Sequence, residues 1–392
     1  MTHETDTALL EPILQLLIQH GFDGAAESLE ILLNAAMRVE RSLVLKAEPY
    51  GRSPERLGYA NGFKPKTVRT RLGQLDLQIP QVRGGVAFYP SSLERGVRSE
   101  RALKLAVAEM YVQGVSTRKM GQVMEQLCGT DITSTQVSRA AQEMDAELEK
   151  WRSRPLGNIQ YLLLDARYEK VRVAGAVRSC AVLIAVGVDA EGKRIVLGVS
   201  VSLSEAELHW REFLQSLLRR GLCGVKLAVS DSHAGLKAAL TTTLPSVPWQ
   251  RCQFHLQQNA QQFAASQAMR LEIGADLRAI FAAQDRLEAE QRLRAVVAKY
   301  RARHAKFADW LEANVVESLT VLALPPEHRR RLRTSNLLER LNKEVKRRTR
   351  VATLFPNDAS LLRLVSAILM EVSEDWESGR TFLSPEIGGP PA

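Results

Sequence analysis

Cysteine and long apolar runs are both scarce in this chain. Its 392 residues include four cysteines, Cys128, Cys180, Cys223 and Cys252, scattered without paired spacing. That pattern argues against a disulfide scaffold and for a reduced, cytosolic protein. The longest apolar run, residues 180–188, is only strand-length, too short to cross a bilayer. No charged-then-apolar leader opens the sequence. The expectation is therefore a cytoplasmic protein. What is present in quantity is positive charge. Hydrophobic residues make up 45% and charged residues 25%, an ordinary globular balance, but the formal net charge is +9. Such an excess suits a polyanion, and nucleic acid first. The length allows two or three domains and a sizeable core.

The chain reads as seven consecutive segments. Residues 1–47 carry apolar residues at helical spacing, Leu9, Ile13, Leu16 and Leu17, then Leu29, Leu32 and Leu33, broken at Gly21. They predict two short helices, a packing or oligomerisation module. Residues 48–97 are rich in Pro, Gly and Arg, and alternation with period two on both sides of Gly73-Gln74 predicts a β-hairpin there. Arg69 and Arg71 share one face of it. Residues 98–153 return to helical periodicity. Ser116 or Thr117 caps one helix, and Thr133 or Ser134 caps the next, running to about Lys150. Two helices joined by a short Gly-containing turn fit a helix-turn-helix, with Gln136 and Arg139 near the end where base edges are read. Residues 154–255 alternate strands and helices in the order β-β-β-α-β-α-β. Residues 256–328 show helical signal only, ended by Pro325-Pro326. Residues 329–378 are again helical, and 379–392 form a flexible tail.

Two places in the α/β segment stand out. Leu162-Leu163-Leu164 reads as a strand buried on both faces, and it ends in Asp165. Lys226-Leu227-Ala228-Val229-Ser230 is a second apolar strand, and it ends in Asp231. A carboxylate at the end of a buried strand is costly to desolvate unless a cation lies beside it. Two of them in one sheet suggest the floor of a divalent-metal site. A two-metal nuclease site needs carboxylates that bridge and flank ions about 3.5–4 Å apart, and two aspartates seldom suffice. The late helix around Leu338-Glu339-Arg340-Leu341-Asn342-Lys343-Glu344 supplies the third acid. At about 100° per residue, Leu338, Leu341 and Val345 form its core face, while Glu339, Lys343, Lys346 and Arg350 share a neighbouring stripe and Glu344 points away. Glu339 is the candidate, although Asn336-x-x-Glu339 also fits a capping box and Glu339–Lys343 an i,i+4 pair. Lys343, Lys346, Arg347 and Arg350 are candidates for backbone phosphate contacts.

With these stretches in hand, the chain resembles bacterial insertion-sequence transposases of the Mutator-like superfamily over nearly its whole length. The matching motifs run in order: Met110-Tyr111-Val112-Gln113-Gly114, Leu164-Asp165-Ala166-Arg167-Tyr168-Glu169, Ser230-Asp231-Ser232-His233-Ala234-Gly235, Gln250-Arg251-Cys252-Gln253-Phe254-His255, and Asn336-Leu337-Leu338-Glu339-Arg340-Leu341-Asn342. The resemblance implies an RNase H-like catalytic domain with an all-α insertion, preceded by modules that bind terminal inverted repeats. It implies a DDE triad at Asp165, Asp231 and Glu339, holding two Mg²⁺ or Mn²⁺ ions, that cleaves DNA and transfers strands into a target. Cys252-x-x-His255 belongs to the same pattern and is expected beside the active site, since no partner pair completes a zinc site. Trp210 matches it too, with core packing as its default role. Thr334-Ser335 stands where the family often has two threonines. Partners follow: double-stranded DNA and further copies of the chain, as a homodimer or higher oligomer, in a nucleoid-associated setting. The rival is a transposase-derived DNA-binding protein without activity.

Overall fold

The computed structural model describes residues 3–51, 53–93, 101–129 and 132–384, with side chains from residue 10 onward. The backbone divides into two units, residues 1–143 and 144–392.

In the first unit, α1 (His3–His20) and α2 (Ala25–Leu45) are separated by a short 3₁₀ turn. β1 (Tyr59–Thr70) and β2 (Gly73–Arg83) form an antiparallel hairpin. Met37 of α2 packs with Leu75, Leu77 and Ile79 of β2, the inward side of an alternating strand. α2 also satisfies outward N–H groups of β2. Glu30 accepts from the Asp76 amide and Asn34 from the Gln78 amide, both at 2.8 Å. The hairpin is longer than expected, and its turn is Arg71-Leu72, not Gly73-Gln74. Gly73 pairs with Thr70 as the first residue of β2, at φ 127°, a conformation suited to glycine.

α3 (Arg101–Val112), α4 (Thr117–Cys128) and α5 (Ser134–Gln142) share a small core of Leu103, Val107, Met120, Met124 and Val137. Ser116 caps α4 and Thr133 caps α5. The turn between them includes Thr130 and Asp131, which lie outside the described residues. The last helix does not continue to Lys150. It stops at Gln142, and α6 (Asp145–Ser153) starts afresh in the second unit, where the Arg363 guanidinium grips Asp145 at 2.6 and 2.8 Å.

The second unit is built on a five-stranded mixed sheet. β3 (Ile159–Val173), β4 (Ala176–Asp189) and β5 (Arg194–Ser202) are antiparallel neighbours, and β6 (Leu227–Ser230) and β7 (Trp249–Arg251) add in parallel on the other side of β3. The order is β5-β4-β3-β6-β7. α7 (Glu207–Arg219) and α8 (Ala234–Thr243) cover one face through Trp210, Phe213, Leu214, Leu217 and Leu236, against Leu162, Leu164 and Leu183. Trp210 is fully buried there. β3 does not pause at Asp165, because β4 pairs with it continuously from Tyr161 to Val173.

After β7 the chain becomes helical: α9 (Gln253–Ala260), α10 (Gln267–Phe281), α11 (Arg286–Arg301) and α12 (Ala305–Asn314). These share a separate core that includes Ile273, Leu277, Leu293, Phe307 and Leu311. Pro326 then opens α13 (Pro326–Leu332), followed by α14 (Asn336–Thr349) and α15 (Asp358–Ser378). α15 packs on the sheet, and its Ser373 hydroxyl accepts from the Val196 amide at 3.0 Å. No described helix is long and apolar enough to cross a membrane.

Candidate active site

Parallel pairing of β3 with β6 places the two aspartates. Leu163 is paired with Val229, so the next two steps bring Asp165 and Asp231 level on neighbouring strands. β6 ends at Ser230, whose carbonyl accepts from the Cys252 amide at 2.7 Å and whose hydroxyl accepts from the Trp249 indole at 2.9 Å. Asp231 is therefore the first residue past the end of a short buried strand, at the carboxyl end of the parallel pair, where such sheets open a crevice. Two residues later the chain turns into α8. Gly235, in the first turn of α8, lets the Glu205 backbone come close, since a Cβ there would lie 2.2 Å from the Glu205 carbonyl oxygen.

Asp165 lies mid-strand, with its carboxylate taking two hydrogen bonds. The Ala166 amide donates to Oδ1 at 2.9 Å, and the Asn342 side chain donates to Oδ2 at 2.7 Å. Burial, with the Asp231 charge next, pushes its pKa up to about 7. Two like charges share a poorly solvated place, and nearby His255 offsets only part of the rise.

α14 brings the third acid. Leu338, Leu341 and Val345 are buried, and Asp165, Glu339, Asn342, Lys343, Lys346 and Arg350 line one groove of about 770 Å³. Arg167 on β3 fixes the helix over the strand. Its guanidinium donates to the Asn342 carbonyl and to Glu169, both at 2.5 Å, while Thr349 donates to Glu169 at 2.9 Å. The capping alternative for Glu339 is not realised. Ser335 is the N-cap residue without a side-chain cap bond, and Glu339 Oε1 is buried with no hydrogen-bond partner. Glu344 is on another side, gripped by Arg347 at 2.7 and 2.9 Å and by Arg348 at 2.7 Å. The Arg347 bond, with Arg348 behind it, holds Glu344 down to about 2 against partial burial. Arg347, an exposed partner of Glu344, is not among the residues that line the groove.

Cys252 and His255 stand at the same opening. Cys252 is fully buried, and its sulfur accepts from the Ser335 amide and hydroxyl, both at 3.3 Å. The hydroxyl at that position therefore has a defined partner. His255 Nε2 is 4.0 Å from Glu339 Oε1. The Cys252 sulfur pushes the imidazole pKa up to about 9 against burial, with Asp231 and Asp165 adding to the rise. Nδ1 meets no partner in full hydrogen-bond geometry, so the surrounding carboxylates are the firmer reason for its charge. Burial disfavours the Cys252 thiolate, but the neighbouring His255 and the Ser335 hydrogen bonds outweigh it and lower the thiol pKa.

Sequence reasoning missed three neighbours. Asn342 and Arg167 lie inside quoted motifs, but only the fold shows what they hold. Glu205 approaches Asp231 and lies 3.8 Å from His233 Nδ1; burial chiefly raises its pKa, and Asp231 adds. In the first unit, Gln136 is engaged by its own helix, where its Oε1 accepts from the Thr133 amide at 2.8 Å and closes a capping box. Its carboxamide oxygen is turned back onto the start of α5, while Arg139 is exposed.

Among the described residues, no three His, Cys, Asp or Glu side chains already close around a metal-sized space. The donor chemistry nevertheless suits a hard cation: a carboxyl whose pKa is raised by burial and then by its acidic neighbour, and a buried carboxylate oxygen without a hydrogen bond.

A family description, "Transposase, Mutator family", matches residues 1–379. The chain is 55% identical over 386 residues to the transposase for insertion sequence element IS406 of Burkholderia multivorans, covering 98% of this chain and 99% of that protein. It is 41% identical over 363 residues to the transposase for ISRM5 of Rhizobium meliloti, covering 92% and 91%. To the transposase for IS256 in transposon Tn4001 of Staphylococcus aureus it is 32% identical, covering 95% and 96%. The chain belongs to the Mutator family of transposases.

Proposed function

We propose that this protein is a DDE transposase that binds the terminal inverted repeats of its own insertion sequence, cleaves DNA there and transfers the strand into a target. What supports the reading most is the nearness of Asp231 to Asp165 past paired strands, together with Glu339, which lines the same lysine- and arginine-bearing groove as Asp165 and has a buried oxygen without a hydrogen bond. The strand order, three antiparallel then two parallel, supports an RNase H-like catalytic domain. In that reading α9–α12 are an all-α insertion, α4–α5 a helix-turn-helix presenting Arg139, and the segment boundaries those expected above. Membership of the transposase family supports both the activity and a DNA partner.

Asp165, Asp231 and Glu339 would hold two Mg²⁺ or Mn²⁺ ions, which activate water and stabilise charge at phosphorus when bound. Asn342 keeps Asp165 oriented by its hydrogen bond to Oδ2. Lys343, Lys346 and Arg350 seat the backbone phosphates along the groove. The charged His255 ring balances carboxylate charge at the opening. The freed 3′-hydroxyl then attacks a target phosphodiester in line, losing its proton and displacing the target strand's 3′-oxygen, which leaves as a hydroxyl, without a covalent enzyme intermediate.

The test is cleavage of a labelled inverted-repeat duplex with Mg²⁺, compared with a scrambled duplex. Asp165→Asn and Asp231→Asn are expected to bind the repeat and leave it uncut. Cleavage by either at near wild-type rate sinks the assignment. A wild-type protein that binds the repeat but never cuts would make the chain an inactive DNA-binding relative.

A further inference from the structure

Five arginines converge where α13 meets α14, away from the acids. Arg330, Arg331 and Arg333 come from the end of α13, Arg340 from α14 and Arg194 from the start of β5. With Phe382 they line a cavity of about 310 Å³. Among the described residues, no carboxylate lines it. Arg329, the neighbour in sequence, shows the contrast: it donates to the Leu324 and Gln284 carbonyls at 2.7 and 2.6 Å and serves the fold.

Two features say that the cluster awaits an anion. Arg194 is held against the rings of Trp376 and Phe382 at 4.8 and 5.3 Å, and Arg331 lies 5.4 Å from Phe382, so aromatic faces fix the guanidinium planes. Arg194 Nε is also buried without a hydrogen-bond partner. Burial lowers its pKa, and Arg331 and Arg340 lower it further. Like charges gathered around an empty space repel one another, and planar donors in fixed orientation match phosphate oxygens.

The strand register locates this cavity relative to the acids. Arg194 pairs with Val188, which pairs with Tyr161, four residues before Asp165 on β3. A rise of about 3.3 Å per residue and about 4.8 Å between strands put the Arg194 and Asp165 backbones roughly 16 Å apart. On α14, Arg340 lies about 100° around the axis from Glu339. The helix therefore separates two basic depressions, of which only the groove holds acids.

We propose that the arginine cavity is a second phosphate seat, gripping the DNA backbone a few nucleotides from the bond cleaved at the acid groove. This rests on the DNA-cleaving reading above. Three exposed arginines of the cavity are changed together, Arg330→Gln, Arg333→Gln and Arg340→Gln, in the full chain. Binding of a fluorescent inverted-repeat duplex is titrated in EDTA across a salt series. The slope of log K against log salt is expected to shrink by about 0.9, the share of the one phosphate no longer neutralised. A control with the same charge change in the helical segment, Arg278→Gln, Arg294→Gln and Arg303→Gln, is expected to keep the wild-type slope. A neutral methylphosphonate at one backbone position should weaken wild-type binding and make no difference to the arginine variant. Equal slopes for variant and control, or a methylphosphonate penalty that persists at every position, overturn the proposal. Because binding is read without metal, a protein that binds but never cuts overturns the function above and leaves this seat intact. A protein that binds no DNA overturns both.

Discussion

Glu339 and Glu344 sit five positions apart on α14 and could hardly differ more. Glu344 is bonded by two guanidiniums and held at about 2, and Arg348 goes on to pair with Glu371 at 2.6 and 2.7 Å. Glu339 presents a buried oxygen with no hydrogen-bond partner, and it lines a groove shared with Asp165, Lys343, Lys346 and Arg350. A polar group whose bonding capacity is filled by the fold serves the fold. One that is buried and unfilled carries a desolvation cost that a ligand can relieve.

The sharpest way to break this comparison is to neutralise each acid in turn. Glu339→Gln keeps the size and removes the charge. It is expected to reduce cleavage of the inverted-repeat duplex by about 10³-fold or more, in keeping with the loss of several kcal/mol of metal-based stabilisation. Glu344→Gln is expected to cut within a few-fold of wild type and to lose at most about 1 kcal/mol of stability. An active Glu339→Gln or an inactive Glu344→Gln reverses the assignment of the two faces.

The second test moves to stability. Asp165 has a folded pKa near 7, raised from about 3.8. Its charged form is therefore disfavoured by folding. The penalty builds as pH rises from the unfolded value toward the folded one and is constant above it. Metal-free Asp165→Asn is expected to be more stable than wild type by roughly 2–4 kcal/mol at pH 8, and the gain is expected to shrink toward pH 4. Thermal melts in EDTA at both pH values check it. A destabilised variant at pH 8 would mean that Asp165 serves the fold, as Glu344 does.

The smallest effect sharpens the same contrast on α5. Gln136→Ala removes a capping partner and is expected to cost about 1 kcal/mol, weakening all DNA binding only through the fold. Arg139→Ala is expected to leave the melt unchanged and to reduce binding to the inverted repeat more than to random duplex. Equal losses on both DNAs, measured by anisotropy, remove α5 from sequence reading.

The sequence showed the acids better than it showed what holds them. Apolar runs before Asp165 and Asp231 are local signals, and so is the 100° step that groups Glu339 with Lys343, Lys346 and Arg350. The continuation of β3 was not legible, because Asp165-Ala166-Arg167-Tyr168-Glu169-Lys170 is polar enough to look like a turn. It is kept extended by β4, a pairing that no window of sequence contains. Gln136 looked available for bases because its side chain is polar and near a helix start, which is also what a capping residue looks like. Arg194 could not be linked to Arg340 at all, since strand register brings them together across the fold.

The hydrogen bond from Asn342 to Asp165 spans 177 residues, and that separation sets a clock during synthesis. At about 5–20 residues per second, α14 leaves the ribosome roughly 10–35 s after β3. Until then a nascent chain has its sheet aspartates and its whole first unit but no third carboxylate and no basic groove. Under the function proposed above, translation that stops short of α14, through a nonsense codon or a stalled ribosome, yields fragments with the DNA-binding modules and without the complete acid set.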